Sequence, residues 1–387
     1  MTKSKTSKRT RYHHFIIVIW NIVIFGLILV VVEGLASYAL TVRDIMATYP
    51  LAERLHTKYD SELGWVNEKN VDIIDMFGPG IYLRTNSQGF RNNHDFEPAV
   101  PDGKHRIVCS GDSFTLGYGV DNDHTWCQLL ATFDPRLETL NMGQGGYGVD
   151  QMYLWYKRDG AKFEHQVCLF AFITEDFNRM QSDRYLQYGK PLIDIENGKL
   201  VVKNVPVPRP ASDHSWLTDN VLPNLGRLRT VELLKQVGRR PRFAPDTAAD
   251  NETIERTPKG RIEKTQKVLV KMFEDLKHLN AERSSKLVLV YLPTSYTTSY
   301  EDEVSEEWIK FTEKESQDLG IPLINVLSTF RSLPRSQTQS MFIPPGQLNY
   351  LHAAGHLNDQ GNKFVAEVIY QELKNDPAIS PMLSPHK

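Results

Sequence analysis

Several features that this sequence lacks narrow the classes of function. It has only three cysteines, too few for a framework of disulfide bonds, and no cluster of His and Asp at the spacing of metal ligands. Its 45 Lys and Arg nearly balance its 47 Asp and Glu, so the basic excess typical of nucleic-acid binding is missing. We therefore expect no metal, no cofactor and no nucleic-acid partner. Cys109 and Cys168 lie in apolar runs and are predicted to be small buried core residues.

One long apolar run lies near the amino terminus. Residues 15–32 carry no charge, and residues 1–14 contain five basic residues and no acidic one. With its continuation to residue 40, the run reaches the ~20 residues that a bilayer requires. We predict a basic cytoplasmic tail at 1–14 and a transmembrane anchor at 15–40, with the remainder exported. The alternative is a cleaved signal peptide, for which Ser37 and Ala39 offer a small-residue site.

Residues 41–104 are predicted to be a connecting segment that packs on the main domain. The stretches 60–65 and 86–91 combine turn-forming residues with aromatics, which is typical of ordered loops.

From residue 105 onward, apolar strand-like runs alternate with amphipathic segments. This alternation predicts a three-layer α/β/α sandwich around a five-stranded parallel sheet, a flavodoxin-like fold. The predicted strands are 107–109, 137–140, 167–173, 287–292 and 321–327. The predicted helices are 125–133, 149–158, 262–279, 304–319 and 360–373.

An insertion, 178–261, separates the third and fourth predicted strands. It begins with a predicted hairpin, 192–195 and 200–205, whose turn is Asn197-Gly198. Residues 237–260 are predicted to be a solvated, partly disordered loop. The insertion leaves the sheet at its carboxyl edge, so it is placed to cover a site there.

The stretch HRIVCSGDSFTLGYG, residues 105–119, holds the candidate nucleophile. Ser113 follows a buried strand and a sharp turn at Gly111, at the sheet edge where ligands bind in open α/β folds. Backbone N–H groups of a following helix could receive a developing oxyanion there. The alternative interpretation is a Gly-Asp-Ser turn that only caps a helix.

Four short segments follow strand ends or precede the last helix, in an order that resembles the SGNH or GDSL-type hydrolases. They are GDSF (111–114), NMGQGGYG (141–148), TEDF (174–177) and GHLN (355–358). The resemblance is strongest to membrane-anchored, exported bacterial members and implies a hydrolase domain over 105–377. It also implies a single-pass protein of the bacterial inner membrane, with its catalytic domain in the periplasm or outside the cell.

The resemblance assigns roles to individual residues. Ser113 is the implied nucleophile, and His356 is the implied base that accepts its proton. The implied oxyanion hole comprises the Ser113 backbone, Gly146 and a third residue at position 175. Glycine suits position 146 because its backbone N–H can approach a substrate closely.

This chain departs from the family pattern at two places. Glu175 stands where the family has asparagine, and an ionised carboxylate cannot donate a hydrogen bond to an oxyanion. It could serve only if protonated in a dry site or turned away. The family's aspartate two or three residues before the histidine is replaced by Ala353 and Ala354. Either a Ser-His dyad remains, or Asp176 or Glu175 supplies the acid that orients the imidazole.

The implied function is a membrane-anchored serine esterase. The implied substrates are O-acyl esters, often O-acetyl esters, of cell-surface or extracellular polysaccharide. Two alternatives stay open: an O-acyltransferase that uses the same acyl-enzyme step, and a catalytically degenerate member that binds a glycan or a partner protein. Glu175 and the Ala353-Ala354 pair favour the second.

Overall fold

The computed structural model describes residues 4–46, 56–185, 188–208, 259–299, 303–348 and 350–383. Most of the loop predicted at 237–260 and part of the predicted connecting segment lie outside these ranges. The chain divides into two units, of which the first contains the amino-terminal helix and the second contains all the other elements described below.

The amino-terminal helix, α1, runs over Ser4–Met46. Its stretch His14–Tyr38 is long and apolar enough to cross a membrane and overlaps the predicted anchor at 15–40. Large apolar side chains along this stretch are exposed, including Ile22 and Val30. A signal sequence near an amino terminus has the same properties, so the helix alone is compatible with both predictions.

Two antiparallel hairpins precede the main sheet. They are formed by β1 (Thr57–Asp60) with β2 (Gly64–Asn67), and by β3 (Asp72–Gly78) with β4 (Ile81–Arg84). The first hairpin packs on the main sheet, because the Trp65 indole donates to the Gly145 carbonyl at 2.9 Å and the Asn67 amide donates to the Gly143 carbonyl at 3.2 Å.

The main domain then alternates strands and helices. Its first half contains β5 (His105–Gly111), α2 (Ser113–Leu116), α3 (Trp126–Phe133), β6 (Leu137–Gly143), α4 (Val149–Arg158), β7 (Val167–Phe172) and α5 (Thr174–Arg179). The short strands β8 (Arg184–Tyr185), β9 (Tyr188–Gly189), β10 (Leu192–Glu196) and β11 (Lys199–Lys203) follow. Its second half contains α6 (Lys259–Glu282), β12 (Lys286–Tyr291), α7 (Ser295–Ser299), α8 (Glu303–Leu319), β13 (Leu323–Asn325), α9 (Val326–Arg331), α10 (Arg335–Gln339), α11 (Asp359–Asn375) and α12 (Ser380–Leu383).

The five central strands form one parallel sheet in the order β13-β12-β7-β5-β6, which confirms the predicted fold. In chain order this is 2-1-3-4-5, the flavodoxin-like arrangement. The strand after β5 is added on one side of it, and the later strands are added on its other side. Such a topological switch point is where ligands bind in open α/β sheets.

Alternate residues of each central strand face opposite layers of helices. Val108, Phe170 and Leu289 belong to the core with α4, α6 and α8. Cys109 and Leu169 belong to the core with α3, α9 and α11. The sheet is therefore buried on both faces, as near-continuous apolar strands require.

One predicted strand boundary is wrong. The last predicted strand, 321–327, ends earlier, because the Asn325 side chain accepts the Ser328 N–H at 3.0 Å and begins α9 at Val326. Helix α5 continues to Arg179, so its last two residues lie within the stretch predicted as the insertion.

The predicted hairpin in the insertion is confirmed. Strands β10 and β11 pair antiparallel, and Asn197 and Gly198 take positive φ values of 51° and 75°, as the tight turn between twisted strands requires. The insertion is joined to α4 by a wholly buried ion pair of Lys190 and Asp150 at 2.5 Å.

Cys109 is a buried core residue, as predicted, but it is also part of a disulfide bond that the sequence did not lead us to expect. Cys109 in β5 and Cys127 in α3 form a disulfide bond, with their Cα atoms 6.2 Å apart. Packing of α3 on this face of the sheet brings together two cysteines that are 18 residues apart. Cys168 is free and buried, as predicted.

Arg91 anchors the segment before the sheet to the loop that follows α2. Its fully buried guanidinium donates to the carbonyls of Leu116, Gly117 and Val120 at 2.5–2.6 Å. Burial lowers the pKa of Arg91 to about 9. These contacts hold the carboxyl end of the helix that begins with Ser113.

We expect Arg91→Ala to lower the free energy of unfolding by roughly 3 kcal/mol or more, because three buried carbonyls lose a charged donor. The matched control is Arg84→Ala, which removes a half-exposed ion pair with Asp72 and should cost about 0–1 kcal/mol. Denaturant unfolding of both variants measures the difference. Equal losses would contradict the anchoring role of Arg91.

Candidate active site

Ser113 is the first residue of α2, directly after the carboxyl end of β5. The Asp112 carboxylate accepts the Phe114 N–H at 2.8 Å and caps this helix. A Cβ at Gly111 would collide with the Thr115 side chain, so the turn between strand and helix requires glycine. Because Ser113 is the first helical residue, its N–H has no acceptor within the helix.

His356 lies between a 3₁₀ turn at 351–353 and α11. Its carbonyl accepts the Ile343 N–H at 2.8 Å, and its ring stacks on Phe114 with the centroids 4.3 Å apart. Nε2 of His356 is 2.8 Å from Oγ of Ser113, although the residues are 243 positions apart. The structure therefore brings together the nucleophile and the base that the sequence predicts.

The predicted acid partner does not reach this histidine. Nδ1 of His356 has no hydrogen-bond partner among the described residues. The Asp176 carboxylate instead accepts the Ile173 N–H at 3.0 Å and pairs with Arg179 at 2.5 Å. Glu175 is half-buried in the first turn of α5.

The pKa of His356 is lowered from 6.5 to about 3. The largest cause is burial, followed by the positive charge of Arg179 and by His352, while the backbone of Ala353 and Ala354 opposes the shift weakly. A neutral imidazole at pH 7 has a free lone pair and can accept the Ser113 proton. Its basicity is low, because burial disfavours the cationic form and no described carboxylate bonds to Nδ1 to offset this.

Arg179 joins three of the motif segments. Its Nη1 lies 3.2 Å from Oδ2 of Asp112, 2.5 Å from Oδ1 of Asp176 and 3.2 Å from the Tyr147 carbonyl. Burial raises the pKa of both carboxyls, and the guanidinium opposes this. Arg179 falls within the predicted insertion, 178–261, and was not expected at the site. Its i,i+3 spacing from Asp176 on a helix was the available signal.

Gly146 lies in the segment that follows β6. Gly111 and Gly143 pair across β5 and β6, and the Gln144 N–H donates to the Gly111 carbonyl at 3.1 Å, so this segment is held beside Ser113. Gly146 has a φ of 74° and is covered by the ring of Tyr185, which would lie 2.6 Å from an added Cβ. A larger residue at this position would therefore displace that ring.

No described residues form a group of three or more His, Cys, Asp or Glu side chains arranged to hold a metal ion. The chemistry that the described site offers is proton transfer and nucleophilic attack by a hydroxyl.

The lowered pKa of His356 predicts how stability depends on pH. Between about pH 6 and pH 4 the unfolded chain binds a proton at this residue and the native state does not, so stability falls as the pH falls through this window. The His356→Gln variant removes this contribution. We expect its melting temperature to decrease less between pH 7 and pH 4 than that of the unaltered chain. An equal decrease in both would contradict the lowered pKa.

No protein-family model matches the sequence, and no curated protein matches it. Solved structures of similar fold include a lipolytic G-D-S-L family protein from Veillonella parvula, with 12% identity, 69% of this chain and 97% of that chain covered, and a TM-score of 0.37. The lipase/acylhydrolase from Enterococcus faecalis has 12% identity, 70% and 96% coverage, and a TM-score of 0.37. The acetyl xylan esterase AlAXEase has 13% identity, 69% and 98% coverage, and a TM-score of 0.37.

Proposed function

We propose that this chain is a serine esterase of the SGNH/GDSL type, anchored in the bacterial inner membrane through residues 15–40. Its substrates are O-acyl esters, chiefly O-acetyl esters, of cell-surface or extracellular polysaccharide. The observation that carries the proposal is the 2.8 Å contact between Ser113 Oγ and His356 Nε2 at the switch point of the sheet.

The proposed reaction proceeds through an acyl-enzyme. Oγ of Ser113 attacks the acyl carbon while Nε2 of His356 takes the hydroxyl proton, and the same nitrogen then returns that proton to the departing sugar oxygen. Water, deprotonated by His356, releases the acid. The N–H groups of Ser113 and Gly146 are the proposed donors to the oxyanion.

Glu175 occupies the position of the asparagine that is the third oxyanion donor in the family that this chain resembles. Glu175 donates no hydrogen bond while it is ionised, and no described carboxylate bonds to Nδ1 of His356. Both features reduce stabilisation of the transition state, so we expect a slow esterase compared with one that has a full triad.

The same two features favour a second candidate function, a catalytically degenerate protein that binds glycan without turnover. A fluorophosphonate probe distinguishes the two, because it labels an activated serine. Labelling at Ser113 supports the esterase, and retained glycan binding without labelling supports the degenerate protein. An O-acyltransferase would also be labelled, and would be recognised by transfer of the acyl group to a sugar hydroxyl in place of release of the acid.

We expect Ser113→Ala in the full-length chain to lower kcat/KM for a simple acetate ester by at least about 10³-fold, because the attacking atom is removed. The matched control is Ser110→Ala in β5, which removes a buried hydroxyl that has no hydrogen-bond partner among the described residues. Acetate release measures both, and the control should retain activity. Activity that survives in Ser113→Ala would contradict the proposal.

A carboxylate introduced shortly before His356 should make this histidine a stronger base. We expect Ala353→Asp to raise kcat/KM by about tenfold or more and to move the acid limb of its pH profile upward, because a negative charge raises the pKa of His356.

Ala353→Asn is the control of equal shape without charge. Since Ala353 is fully buried, the half-buried Ala354→Asp serves as a second variant if Ala353→Asp unfolds. Identical pH profiles for the Asp and Asn variants would contradict the expected role of the missing acid.

A further inference from the structure

Three aromatic side chains lie together beside Gly146. The ring of Tyr185 covers Gly146, and an added Cβ there would also lie 3.5 Å from Trp65. Trp65 stacks on Tyr185 at 6.3 Å between centroids and 27° between planes, and its ring centroid lies 5.7 Å from that of Tyr188. We call Trp65, Tyr185 and Tyr188 the aromatic wall.

The aromatic wall is assembled from segments far apart in sequence and is held by polar contacts. The Trp65 indole donates to the Gly145 carbonyl at 2.9 Å, and the Tyr147 hydroxyl donates to the Trp65 carbonyl at 2.5 Å. Tyr185 and Tyr188 face each other across β8 and β9. The Trp65 ring is therefore held by the segment that contains Gly146, and the two tyrosine rings lie against Trp65.

Burial differs across the aromatic wall. Trp65 is buried, whereas Tyr185 and Tyr188 are half-buried, and the Arg179 guanidinium lies 5.1 Å from the centroid of the Tyr185 ring. The wall thus presents partly solvated phenol rings over a rigid, buried indole. Such rings combine an apolar body with a polar end.

The position of the wall decides what it can contact. In the proposed mechanism, the acyl oxygen lies about 3 Å from the Gly146 N–H, so a ring that covers Gly146 lies within reach of the groups attached to the ester. A sugar ring has an apolar face of C–H groups and a rim of hydroxyls, which matches partly solvated phenols. A long acyl chain would require an enclosed apolar pocket.

We propose that the aromatic wall is the subsite for the sugar ring that carries the acyl group, with Tyr185 as its principal contact. This inference rests on the proposed function and adds to it the residues that hold the sugar ring of the substrate. Tyr185 belongs to the insertion and Trp65 to the segment before the sheet, so both additions to the central fold contribute to substrate binding.

The test compares two acetate esters on the full-length chain in detergent. The probes are methyl 6-O-acetyl-glucopyranoside, which has a sugar ring, and ethyl acetate, which has none. We expect Tyr185→Ala to lower kcat/KM for the sugar ester about tenfold more than for ethyl acetate, mainly through KM. Tyr185→Phe keeps the aromatic ring and should lower kcat/KM for the sugar ester less than Tyr185→Ala does. Tyr370→Ala, which removes a half-buried tyrosine on α11, is the matched control and should leave both rates unchanged.

Equal losses on the two esters, or no loss on the sugar ester, would overturn the inference and leave the esterase standing. Tyr188→Ala provides a second variant if Tyr185→Ala fails to fold. Titration of the Ser113→Ala chain with methyl 6-O-acetyl-glucopyranoside tests whether the sugar subsite exists in a protein without esterase activity. If the unaltered chain hydrolyses neither ester, while binding to Ser113→Ala weakens about tenfold on adding Tyr185→Ala, the esterase fails and the sugar subsite stands.

Discussion

The parallel register of the central strands is the constraint on which the candidate site depends. Residues Gly111 and Gly143 pair across β5 and β6, and β7 pairs with β5 on its other side. Because parallel strands end at one edge, the three segments that follow them converge there. Ser113 and Gly146 owe their proximity to this edge, and His356 reaches Ser113 through the turn before α11. The glycines at the strand ends permit the close approach of these segments.

Buried charge gives this edge its electrostatic character. Arg179 is held between the carboxylates of Asp112 and Asp176, so both of these carboxylates are already paired with a cation. Burial and, after it, the positive charge of Arg179 therefore lower the pKa of His356. This arrangement keeps the imidazole of His356 neutral at pH 7, but it also makes the imidazole a weak base. For the proposed esterase, this combination predicts a Ser-His pair that is well positioned for proton transfer but weak as a base.

The parts of the chain outside the five-stranded sheet also shape the edge. Arg91, from the segment before the sheet, binds the loop that ends α2, and Trp65 from the same segment packs on the loop that contains Gly146. Tyr185 comes from the insertion. A fold that is shared by proteins of many functions acquires its individual site through such additions, because surface segments can change while the sheet stays constant.

The sequence by itself determined the fold class, the hairpin at Asn197-Gly198 and the sheet edge on which Ser113 lies, because apolar periodicity and turn residues act over a few neighbouring positions. Only the tertiary structure decided the Cys109–Cys127 pair, the partner of Asp176 and the rings beside Gly146. These contacts join residues whose distance depends on how helices and loops pack against the sheet. The local sequence pattern carries no information on the distance between such residues. Burial and charge pairing in the folded chain determine it.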